Sequence, residues 1–340
     1  MTSTAKRRWS REIESQIDGV AFEATGPVLM HGYDPPAGGK WLDNVIPGKL
    51  GAIDRNTGEL VWMGPCEVGY GRGFGAGVDA NSDAVILGPA SGGHLIARTS
   101  IEDGELLDAA EIEFFDEARV YGDVSVCVSA ARVFGVDTTR LTERWAYARN
   151  GERYHHIERL GDRVFVVFTH TDSKRQGVLC LDAETGHFDQ VLIAPSHTKI
   201  RQIAVTGDSL VLLTAGLEDM LPGECLVDYA TQVGEFGAGE TDSLSLVVLR
   251  PDGEPGDAPV WFQVLETCAP DDLPDCSISA DSGKLYLVRG AYLEVLDAVS
   301  GRSLGNWTVP GLDEQVAWLV VDGAGLLAEE TRISVFELPA

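Results

Sequence analysis

The stretch Val178-Leu179-Cys180-Leu181-Asp182-Ala183-Glu184-Thr185-Gly186 decides how this chain is read: an apolar run ends in Asp, and after two intervening residues come Thr and Gly. The same order stands at Gly51-Ala52-Ile53-Asp54-Arg55-Asn56-Thr57-Gly58 and at Leu293-Glu294-Val295-Leu296-Asp297-Ala298-Val299-Ser300-Gly301. Val133-Phe134-Gly135-Val136-Asp137 is a degenerate copy, followed by Trp145 at the spacing that separates Asp54 from Trp62, and looser versions run from His94 to Gly104 and from Leu246 to Gly253. Turn chemistry explains the pattern. Asp at the end of a strand hydrogen-bonds backbone two residues on, Thr or Ser does so more weakly, and Gly supplies the positive φ that closes a hairpin.

The copies are mostly 37 to 47 residues apart, the length of one four-stranded propeller blade. Between them lie runs such as Arg163-Val164-Phe165-Val166-Val167-Phe168 and Ser209-Leu210-Val211-Leu212-Leu213, which have strand composition without helical periodicity and follow the turns Gly161-Asp162 and Gly207-Asp208. The pattern predicts an all-β chain of seven units at about 15–64, 70–112, 117–149, 154–193, 198–266, 275–309 and 314–340. The seventh is one strand short. Arg8-Trp9-Ser10-Arg11-Glu12-Ile13 has a tryptophan where an outer strand would carry one, so the expectation is a single domain over 1–340: a seven-bladed β-propeller of four-stranded blades whose ring is closed by residues 1–14 completing the last blade. Residues 216–242 read as a long inserted loop.

The repeated Asp-x-x-Thr-Gly with a tryptophan on the outer strand resembles the PQQ-like, or quinoprotein-type, β-propeller repeat family over essentially the whole chain. Members that hold pyrroloquinoline quinone are generally eight-bladed, with an adjacent cysteine pair and carboxylate ligands for calcium. Seven units and no adjacent cysteines imply the scaffold with no cofactor.

Composition narrows the function. Lys and Arg total 26 against 53 Asp and Glu, a net charge of −27, which repels phosphate backbones and anionic lipid; nucleic acid and membrane surfaces are not the expected partners. No run approaches the ~20 apolar residues that cross a bilayer. Arg7-Arg8 is followed by charged residues where an export signal would be apolar, and the six cysteines lie far apart, several in apolar runs such as Val126-Cys127-Val128. Both features point to a cytoplasmic protein with reduced, buried thiols.

No catalytic motif stands out. The glycines at 69, 71, 73, 75 and 77 precede turn and strand residues and not a helix, so they read as a close-packed crossing between blades and not as a nucleotide loop. None of the seven histidines has helical metal-site spacing, and His155-His156 on a strand would point to opposite faces. Long segments at 31–49, 64–77, 194–199, 216–242 and 267–276 are all assigned to one face of the blades, the arrangement of a binding surface on a repeat scaffold. Scarce basic residues recur there: Arg72, Arg119, Arg153, His155, His156, His170, Lys174 and Arg201. They are the candidate partner-binding residues, set to receive an acidic peptide or carboxylate; the structural alternative is that these arginines tie blade to blade. The expected function is a non-enzymatic scaffold, regulatory or assembly module with a protein partner. The alternative is a small-molecule sensor or metal-dependent hydrolase using the central channel.

Overall fold

The computed structural model describes residues 3–35, 46–235, 242–268 and 275–338. Along the chain, seven antiparallel sheets form blades I to VII, at 16–70, 75–112, 117–147, 152–196, 199–268, 276–308 and 317–337. The first six supply four strands each in sequence order; blade VII takes its fourth, outer strand from Lys6–Glu12, which pairs antiparallel with Arg332–Glu337. Ser3–Thr4 adds a short parallel strand outside Ser303–Thr308 of blade VI. The fold class is a seven-bladed β-propeller. The chain forms two compact units, one holding blades IV to VI apart from the turn 184–186, and the other holding blades I to III and VII together with that turn.

Within each unit, middle strands are apolar on both faces where sheet packs on sheet. Ser209–Ala215 is buried along nearly its whole length. In the first unit, Phe165, Val167 and Leu192 of blade IV meet Ile200, Leu210 and Val247 of blade V, and Leu246 of blade V meets Ile278 and Leu287 of blade VI. In the second, Val85 and Ile96 of blade II pack on Phe115, Cys127 and Phe134 of blade III. Each such side chain contributes about 1.5–3 kcal/mol when fully buried.

The repeated turn shows why its residues are needed. Asp54 Oδ1 accepts from the Asn56 N–H at 2.9 Å, the Thr57 N–H at 2.8 Å and the Thr57 hydroxyl at 3.0 Å, and Gly58 sits at φ 74°. These bonds hold the Asp54 carboxyl below its ordinary pKa. The glycine has a second duty. A Cβ on Gly58 would stand 2.7 Å from the ring of Trp9, and Trp9 Nε1 donates to the Arg55 carbonyl at 2.8 Å. Trp62 repeats this over Gly104 with a bond to Ile101 O at 2.8 Å, and Trp261 over Gly301 with a bond to Ala298 O at 2.9 Å. Trp145 lies over Gly186 in the same way. The turn is therefore a socket for the preceding blade's tryptophan. Where the ring is missing the glycine is not kept: blade II carries no outer-strand tryptophan, and Leu141 takes the left-handed position of blade III at φ 55°. Gly58→Ala combines positive-φ strain with ring overlap and is expected to cost about 2–4 kcal/mol, measured by urea unfolding, whereas Gly122→Ala, at φ 68° with open space around its Cβ position, should cost about 1. Equal costs at the two sites would refute the socket.

Two expectations change. The outer strand of blade I runs on to Tyr70, so the crossing to blade II is shorter than 64–77. Gly75 and Gly77, which fall in the inner strand of blade II, serve close packing: Cβ atoms there would stand 2.8 and 2.6 Å from the side chains of Ala118 and Val120. The 216–242 segment, read as a loop, folds over its described part into two 3-10 turns and a helix, α1, Leu226–Glu235; residues 236–241 lie outside the described residues. Leu226 and Tyr229, one helical turn apart, pack on the blade IV–V core. The Gln232 carboxamide oxygen accepts from the Val264 N–H at 2.8 Å, fixing α1 to the outer strand of blade V.

Candidate interaction surface

In blades IV and V the register brings one set of strand ends together. Glu152 pairs with His170, Gln176 with Ser196, and Lys199 with Ala215, so the start of Glu152–Leu160, the turn 171–175 and the crossing 197–198 share one end of the two sheets. Six of the eight candidates are here: Arg153, His155, His156, His170 and Lys174 in blade IV and Arg201 in blade V. Arg175, His197 and Lys199 join them. Arg72 and Arg119 belong to the other unit.

Several of these side chains are held in place. His155 Nε2 hydrogen-bonds the Thr169 hydroxyl at 2.8 Å, and Gln176, 3.5 Å from the same ring, accepts the Ile200 N–H at 2.7 Å, linking the two blades. Arg175 Nε donates to His197 Nε2 at 3.3 Å. Lys174 takes a left-handed φ of 58° so that its N–H reaches the His170 carbonyl at 2.9 Å, and the His170 ring meets Phe168 edge-on at 5.4 Å. Arg153 and Lys174 are exposed, and among the described residues neither forms an ion pair. Glu152, beside Arg153, is buried and internally engaged, accepting from the Tyr154 hydroxyl at 3.0 Å with Arg149 Nη1 at 3.6 Å, while Asp172 is exposed in the turn that holds Lys174.

The two histidines do not obey simple alternation. A β-bulge falls at His156, whose φ is 51°, and the imidazole centroids are 5.8 Å apart in an edge-on arrangement. The extra residue breaks the period of two and re-aims the side chain. Arg201 is the bulged residue of the inner strand of blade V. Alternation alone could not have located either bulge.

In the other unit the two remaining candidates have carboxylate neighbours. Arg72, 77% exposed, places Nε 2.7 Å from Asp116, and Arg119 lies 3.6 Å from Glu117. For Arg72 this is the blade-to-blade tie weighed from sequence.

One polar constellation in this unit escaped the sequence reading. His31 is buried in blade I with Nδ1 2.6 Å from Asp18 Oδ1 and Nε2 2.9 Å from the Val68 carbonyl, and its ring stacks on Phe74 at 4.9 Å. Both neighbours are acceptors, so both ring nitrogens carry protons and the ring is an imidazolium. Burial opposes that charge, but the hydrogen bonds to Asp18, Cys66 and Val68 and the carboxylate charge outweigh it and push the pKa up to about 10. With both nitrogens engaged, His31 is a structural tie. The only sequence signal was a histidine inside the apolar strand Val28–Tyr33.

Among the described residues, no group of three or more His, Cys, Asp and Glu side chains is arranged to hold a metal ion, and no helix is long and apolar enough to cross a membrane. No protein-family model and no curated protein matches the chain. Solved structures do. BamB from Moraxella catarrhalis aligns at TM-score 0.52 and 11% identity over 98% of this chain and 100% of its own. Hydrazine synthase from Kuenenia stuttgartiensis aligns at 0.59 and 10% over 96% and 97%. Both likenesses are of fold: the chain is similar to these β-propellers along nearly all of its length.

Proposed function

We propose that this chain is a non-enzymatic, cytoplasmic interaction module that receives an acidic or carboxylate-bearing segment of a protein partner at the shared end of blades IV and V. The observation that carries the reading is the convergence there of Arg153, Lys174, Arg175, Lys199, Arg201 and four histidines in a chain of net charge −27. A basic patch in an acidic surface repels nonpartners and steers a complementary one. Preset side chains such as His155 reduce the ordering cost of binding. The five thiols described as free, three of them buried, fit a reducing compartment.

The probe is an immobilised oligo-glutamate peptide. Arg153→Glu with Lys174→Glu is expected to weaken retention by roughly 30-fold or more, since losing charge pairs at an interface costs ~2–5 kcal/mol, while stability stays within ~0.5 kcal/mol. Arg140→Glu with Arg302→Glu makes the same charge change in two Asp turns and should leave retention near wild type. Equal losses in the two variants would reduce the effect to net charge and overturn the local surface.

A further inference from the structure

Outer-strand tryptophans fill the junctions described above, but blade IV has none. The equivalent place opposite Cys180 is Gln190, as Trp145 stands opposite Gly135 and Trp62 opposite Ala52. Gln190 Nε2 reaches the Gly253 carbonyl at 3.5 Å, and Arg163 Nη1 donates to the Pro251 carbonyl at 3.0 Å. These bonds brace the 250–259 loop of blade V. A cavity of about 610 Å³ opens along this junction, within the ~300–1,000 Å³ of small-molecule sites.

We propose that this cavity binds a small organic cation with an apolar body, such as a primary amine carrying an aryl or alkyl tail. Its lining combines Leu192, Ile193 and Leu221, which belong to the blade IV–V core, with the exposed acidic residues Asp219, Glu254 and Asp257. Arg250 is the one basic residue in that lining, so the charge favours a cation. The loop is preformed: Gly253 N–H donates to Arg250 O at 3.1 Å, Asp257 N–H to Glu254 O at 3.0 Å, and Glu254 N–H to Asp257 Oδ2 at 2.8 Å. Little ordering cost remains for binding. This site is independent of the basic surface, and either can fail alone.

Isothermal titration of the full chain with 4-phenylbutylamine, 4-phenylbutanol and 4-phenylbutyrate separates body from charge. The amine is expected to bind at least tenfold more tightly than the alcohol, and the acid not to bind. Asp219→Asn with Glu254→Gln should bring the amine down to the alcohol's level. Ala194→Trp, on the exposed side of the lining, should obstruct the cavity and weaken binding of the amine and the alcohol alike without lowering the melting temperature. Absence of amine binding, equal affinity for the three head groups, or amine binding unchanged in both variants would overturn the proposal.

Discussion

Deletion of residues 1–14 is expected to produce a chain that melts roughly 10 °C or more below the full-length protein and self-associates on size-exclusion chromatography. Lys6–Glu12 supplies the outer strand of blade VII, with Trp9 opposite Val335 and the Ser10 and Ser334 hydroxyls bonded at 2.8 Å. Trp9 is 8% exposed and shares a core with Val28, Met30 and Ile53 of blade I, besides its bond to Arg55 O and its seat over Gly58. Without the strand, Arg332–Glu337 presents an unpaired edge, a template for intermolecular pairing. The contributions separate by mutation. Trp9→Ala should account for about 3–5 kcal/mol, whereas Lys6→Ala, which removes an exposed ion pair to Glu337, should stay within ~0.5 kcal/mol. A monodisperse deletion variant with an unchanged midpoint would mean that the N-terminal strand contributes nothing to blade VII.

That strand was legible because Trp9 repeats a signal given elsewhere by Trp62 and Trp145. The blades were legible for the same reason: a turn that must bond its own backbone and admit a ring leaves few residue choices, so Asp, Thr and Gly recur where the structure needs them. Features set by a single blade were not. The bulges at His156 and Arg201 arise from register against one partner strand, which has no local signature. Helix α1 had a signal in Leu226, Tyr229 and Val233, but it is short and sits in an insertion with no repeat to compare. Of the candidate residues, the scarcity of basic side chains picked out those whose strand ends the register brings together in blades IV and V, but only geometry shows that Arg72 already faces Asp116. Gln190 became informative only once the tryptophan's seat was known.

The buried His31–Asp18 pair gives the second large effect, with a distinctive pH signature. The seat of the ring is built for it: a Cβ at Gly48 would stand 2.5 Å from His31 Nε2, and one at Gly19 would stand 2.1 Å from the Phe74 ring that stacks on His31. Asp18→Asn leaves the buried imidazolium without its counterpart, and His31→Ala removes the buried ring with its Phe74 stack and both hydrogen bonds, so each should cost about 3–5 kcal/mol in urea unfolding. The pKa of His31 is about 10 in the folded chain against an ordinary 6.5, so the native state holds a proton that the unfolded state gives up between those values. The stabilisation is therefore complete below about pH 6.5 and is lost as pH rises towards 10, with a slope on the order of 1 kcal/mol per pH unit in between. His31→Ala should lack that slope, and subtracting its pH profile from wild type cancels the other groups that titrate in the range. Parallel profiles for the two proteins would show that the ring is neutral. One of its nitrogens would then face an acceptor without a proton to give, which the 2.6 Å and 2.9 Å contacts to Asp18 and Val68 argue against.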